Sequence, residues 1–134
     1  MITTDIANCF IDPNGILNLK FHCDRKNHLD LYDARILLNN CFKATNERRT
    51  PLLIDGTDTF GTISFHAGNL IATDPKFKNL TTARAIVVNS LANKLLVSFF
   101  SKFAGSMPPY KVFTDPAAAR EWLLQLKLDL NDNN

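Results

Sequence analysis

The sequence predicts an α/β fold in which a mixed, mostly parallel sheet is covered by helices, and three stretches carry that prediction. Near the start, Pro13-Asn-Gly15 separates two runs containing alternating apolar residues, the pattern of an antiparallel hairpin. In the last third, Ala85-Ile-Val-Val88 leads into an apolar helical stretch, and Tyr110-Lys-Val-Phe-Thr114 leads into a capped closing helix. Two consecutive strand–helix units without a long linker point to a parallel sheet. After the hairpin, each strand-to-strand connection contains a helix, which favours right-handed parallel crossovers.

The elements follow in order. Asn8–Asp12 and Ile16–Phe21 are the hairpin strands; Leu17, Leu19 and Phe21 share one face and are expected to point inward, with Ile16, Asn18 and Lys20 on the other. A helix is predicted from about Asp30 to Ala44, with Leu31, Ala34, Leu38 and Cys41 as its buried stripe and Asp33, Asn40 and Lys43 outside. Pro51–Asp55 reads as a short central strand, with Pro51 tolerated at its first position. Gly56–Thr62 is a loop, and Ser64–Thr73 a helix with Phe65, Leu70 and Ile71 as core residues. Asp74-Pro75 breaks it. Thr82–Val88 is the fourth strand, Leu91–Ala104 the third helix and Tyr110–Thr114 the fifth strand. The last helix opens at Thr114-Asp-Pro116, an oxygen-bearing cap followed by Pro near the first helical position, and buries Ala119, Trp122, Leu123 and Leu126. The expectation is a five-stranded sheet with four helices in a single domain over 1–134, with 128–134 as a frayed tail.

Composition narrows the function classes. With 46% apolar and 21% charged residues the 134-residue chain is of ordinary globular type and long enough for one core. A net charge of +2 with scattered bases argues against a nucleic-acid partner. Cys9, Cys23 and Cys41 are odd in number and widely spaced, which favours reduced, buried thiols over a disulfide framework or a zinc site. No apolar run approaches the roughly 20 residues of a membrane span, and no signal peptide opens the chain, so the expected compartment is the cytoplasm.

Nothing in the sequence assembles a catalytic set. His22, His28 and His66 are far apart, and no nucleophile elbow, P-loop or dinucleotide fingerprint is present. Asp55 ends the third strand, on the side of an α/β sheet where ligands gather. A response-regulator receiver also needs an acidic pair after its first strand and a lysine ending its fifth; Asp12 and Lys111 fit neither place. Asp55 is therefore expected to cap the strand end or to order the Gly56 turn. No catalytic residue, metal or cofactor is implied.

The third predicted helix is more informative. Lys94, Ser98, Ser101 and Lys102 form one narrow polar stripe, while Leu91, Leu95, Leu96, Phe99, Phe100 and Phe103 occupy most of the rest. Either a neighbouring helix covers the second apolar flank, or Phe99, Phe100 and Phe103 form a partner or dimer surface, or the flank lines an apolar ligand pocket.

Ala85-Ile-Val-Val88, the Phe-rich helix, and Tyr110-Lys-Val-Phe-Thr-Asp115 followed by Ala119-Arg-Glu-Trp-Leu123 resemble the STAS domain, in its small bacterial SpoIIAA-like branch. The strand order resembles that fold over nearly the whole chain, and the residue-level likeness covers about the last fifty positions. The resemblance implies a non-enzymatic regulatory or scaffolding module working by protein–protein contact, as a homodimer and with a further protein partner. A lipid-binding branch of the fold supplies the alternative, a carrier of an apolar or lipid-like molecule. Anti-anti-sigma factors switch through a serine in Asp-Ser-[Ser/Thr]-Gly at the start of the second helix. Here Asp58-Thr-Phe-Gly-Thr-Ile-Ser64 stands instead, leaving Thr59, Thr62 and Ser64 as candidate phospho-acceptors whose other role is loop polarity and helix capping.

Overall fold

A computed structural model of the chain describes residues 1–22, 28–57, 62–89, 101–103, 105 and 107–132. Strands β1 (Ile2–Thr3), β2 (Ala7–Ile11) and β3 (Leu17–Phe21) pair antiparallel, and β3, β5 (Thr50–Asp55), β7 (Thr81–Val87) and β8 (Tyr110–Phe113) run parallel. The mixed six-stranded sheet has the order β1-β2-β3-β5-β7-β8. A second, two-stranded parallel sheet joins β4 (His28–Leu29) to β6 (Thr62–Ile63). The described helices are α1 (Leu31–Thr45), α2 (Phe65–Thr73), α3 (Pro75–Leu80) and α4 (Pro116–Asp132).

The predicted hairpin forms, with Cys9 opposite Leu19. Its turn is built by Asp12, whose Oδ1 accepts from the Asn14 and Ile16 amides at 2.9 and 3.1 Å. Gly15 takes φ +79°, which a side chain would strain. The expected inward face holds: Leu17 and Leu19 join Ala34, Leu37, Cys41, Leu52, Ile71 and Phe77 in a core roofed by α1, α2 and α3. The opposite face is buried as well. There Ile16, Leu53, Ala83, Ala85 and Val87 pack beneath Ala119 and Leu123 of α4. A strand covered on both sides loses its alternation, so Ile16 and Asn18 are buried too.

Five expectations need correction. The sheet has six strands because β1, only two residues long, pairs beside β2; so short a segment has no readable period. On α1, Asp33 and Asn40 are buried and Leu31 is only partly so, because the helix packs against α2 and α3 as well as the sheet. Phe65 is 58% exposed, since the first residue of α2 projects beyond the layer that Ala67 and Ile71 enter. Asp74-Pro75 ends one helix and also starts another: Asp74 Oδ2 accepts from the Phe77 amide at 2.9 Å, and Pro75 occupies the first turn of α3. The same device opens α4, where Asp115 Oδ1 accepts from the Ala117 amide at 3.2 Å. Residues 128–132, assigned to the tail by sequence, continue α4. The predicted helix Leu91–Ala104 lies mostly outside the described residues.

Polar groups fasten α4 to the hairpin. Asn18 donates to Asp12 Oδ2 at 3.0 Å and accepts from Arg120, whose Nε lies 3.6 Å from the same carboxylate. Two turns further on, Lys127 donates to the Asn14 carbonyl at 3.1 Å.

Candidate functional site

In a parallel sheet the helices that follow the strands begin at the strands' carboxyl edge, and side chains gathered there are the usual candidates for recognition. Here β4 and β6, paired side by side, deliver α1 and α2 to that edge together; the Ser64 amide donates to the Leu29 carbonyl at 2.9 Å across the joint. Each helix opens with a side-chain cap. Asp30 and Asp33 form a reciprocal capping box on α1. Ser64 Oγ accepts from the Ala67 amide at 3.0 Å on α2. Aromatic residues stand beside both caps: Tyr32 is 71% exposed, and Phe65 carries His66 and Phe103 against its ring at centroid distances of 5.9 and 6.2 Å.

The candidates named from sequence fall into distinct places. Ser64 is the α2 cap, so its oxygen is engaged with the helix backbone. Asp55, at the end of β5, accepts from the Thr57 amide at 3.1 Å and the Thr57 hydroxyl at 2.6 Å, ordering the turn in which Gly56 donates to the Val87 carbonyl at 2.8 Å. Phe103 is half-buried against Ala72, Ile86, Val88 and Met107 and also meets Phe65, so it ties the core to the surface at this edge. Thr62 lies on β6. Thr59, Phe99 and Phe100 lie outside the described residues.

The three histidines fall in different parts of the fold. His22 Nε2 lies 2.9 Å from the Thr4 carbonyl, closing the N-terminal strand; His28 lies on β4 and His66 on α2. Among the described residues no three His, Cys, Asp or Glu side chains converge as metal ligands, and no helix is long and apolar enough to cross a membrane.

Sequence reading missed one residue of unusual chemistry. Arg84, on β7, is 0% exposed. Its Nε donates to Thr81 Oγ1 at 3.0 Å, its Nη1 to the Ile71 carbonyl at 2.7 Å, and its guanidinium lies 4.7 Å from the Phe77 ring centroid. Nη2 has no hydrogen-bond partner among the described residues. Burial lowers its pKa to about 10, against the pull of Cys41 and Asp74 in the other direction. The available signal was a lone arginine inside the apolar run Ala83–Val88.

The chain thus has a paired-helix edge bearing aromatic groups and a buried cation behind it. No curated protein and no solved structure matches it. A family model described as a domain of unknown function (DUF7793) matches residues 9–127, from within β2 to the fourth turn of α4, and the chain belongs to that family.

Proposed function

We propose that the chain is a non-enzymatic, STAS-like regulatory or scaffolding module that works by protein–protein contact, and that its first partner is a second copy of itself. The observation that carries this reading is Phe65, a large aromatic side chain 58% exposed at the start of α2. It stands beside His66 and Phe103 and at the same edge as Tyr32. Clustered aromatics of this kind supply anchor residues at protein interfaces, because they remove much apolar area from water while losing little side-chain freedom. The STAS likeness draws support from the sheet: an antiparallel hairpin is followed by parallel strands laid down in chain order.

Two polar groups at the edge are engaged in structure, which favours recognition over reaction as the reading for it. Asp55 holds its own turn, and Ser64 holds its own helix.

Sedimentation velocity across a concentration series tests the reading. The wild-type chain is expected to associate, and Phe65→Asp to sediment as a monomer with unchanged far-ultraviolet circular dichroism. A wild-type monomer at all concentrations would overturn the self-association. A monomer carrying a stoichiometric organic adduct in native mass spectrometry would replace the interaction module by an apolar carrier.

A further inference from the structure

Two of the three cysteines meet in the core between sheet and helix. Cys9, on β2, and Cys41, on α1, are both buried and free, and their sulfurs are 3.8 Å apart. That is van der Waals contact. A disulfide needs about 2.05 Å, so each sulfur has to move by roughly 1 Å. The two residues are 32 positions apart, and no short motif such as C-x-x-C announces the pair. Only the packing of α1 over β2 creates it.

We infer that Cys9 and Cys41 are a redox-active pair that takes a small peroxide as oxidant and closes to an intramolecular disulfide, latching β2 to α1.

The two thiols differ in place, which assigns the order of events. Cys9, on β2, lies one strand in from the sheet edge, whereas Cys41 lies on the covering helix α1. Their mutual contact and deep burial hold Cys41 well above the ordinary thiol range, and Cys9 is lowered, chiefly by the same contact, with burial opposing. Cys9 is the nucleophile and Cys41 the resolving thiol. The Cys9 thiolate attacks one oxygen of hydrogen peroxide. An S–O bond forms, the O–O bond breaks, and the departing hydroxide takes up the proton that Cys9 released, giving water. The Cys41 sulfur then attacks the Cys9 sulfenic sulfur. The S–S bond forms, the S–O bond breaks, and hydroxide leaves with the Cys41 proton as a second water. The two sulfurs lose two electrons and the peroxide gains them.

Access comes from the sheet edge. Cys9 pairs with Ile2 of the two-residue edge strand β1, a small unit to detach. Hydrogen peroxide is small and uncharged, the kind of oxidant that can follow such an opening. The positive charge of the buried Arg84 favours the Cys41 thiolate.

The test uses the wild-type chain. It is incubated natively with hydrogen peroxide, blocked with N-ethylmaleimide after denaturation, and analysed intact and after trypsin. Cys9, Cys23 and Cys41 fall in separate tryptic peptides, 1–20, 21–25 and 36–43. The expected result is a loss of about 2 Da, the 1–20 and 36–43 peptides joined, and reversal by dithiothreitol. The cross-linked protein is expected to melt on the order of 10 °C higher, and the same link to form in Cys23→Ser. Unlinked cysteines, stepwise oxygen addition without a link, or a link through Cys23 would each overturn the pair.

Discussion

A guanidinium with no exposed surface, and with one nitrogen unpartnered among the described residues, lowers stability at every pH at which it is charged. Arg84 offsets part of that loss through Thr81, the Ile71 carbonyl and the Phe77 ring. Replacing it with a residue of similar length and no charge should therefore be nearly harmless. Arg84→Met is expected to fall within about 1 kcal/mol of wild type, or to be more stable, in urea unfolding. Arg84→Ala, which also removes the packing stem, is expected to lose about 3 kcal/mol. The pH dependence has a definite sign. The folded chain holds this proton less tightly than the unfolded chain, so the loss is at full strength below about pH 10 and is relieved above it. Wild type should gain stability relative to Arg84→Met as pH rises past that value. Unfolding curves of the two chains at pH 8 and pH 10.5 measure the difference.

Among the elements, α2 contributes most directly to the proposed contact face, and its orientation depends on its first turn. Ser64 caps it through one hydrogen bond to the Ala67 amide. Ser64→Ala is expected to cost about 1 kcal/mol, while Ser64→Asp, an equally good cap with a favourable charge at a helix start, should stay within a few tenths. If both substitutions cost the same, the cap is not what Ser64 provides. Element boundaries read well from sequence where a chemical punctuation mark exists. Asn14-Gly15 marks the hairpin, Asp30 opens α1, and Asp115-Pro116 opens α4. The same punctuation at Asp74-Pro75 was read only as a stop, although an acidic cap followed by Pro starts a helix equally well. β1, β4 and β6 are two residues each, too short for any local period to reveal them. The exposure of Phe65 was hidden for a related reason. Its apolar character fits a core stripe, and only its position one residue after the cap turns it outward.

For the whole molecule, the sheet divides the core into two unequal halves. Among the described helices, three lie over the α1–α3 face and α4 alone over the other. Leu123, 1% exposed beneath that helix, is expected to cost about 3 kcal/mol on replacement by Ala, whereas Leu128, 58% exposed on the same helix, should change stability by less than about 0.5 kcal/mol. Chemical denaturation of the two variants checks the contrast. The parallel order of the later strands was legible because helical segments separate them. The Cys9–Cys41 contact and the burial of Arg84 were not, since both arise where layers meet rather than within any one segment.

The order of strands across the sheet has a consequence for synthesis. Because each strand of the main sheet lies beside the preceding one, a chain leaving the ribosome at about 5–20 residues per second can add strands outward from the hairpin without waiting for distant partners. The helix that closes the second face starts only at Pro116. For several seconds the nascent sheet therefore shows Ile16, Leu53, Ala85 and Val87 to the surrounding water, and a chaperone reading apolar surface would find its target on that side.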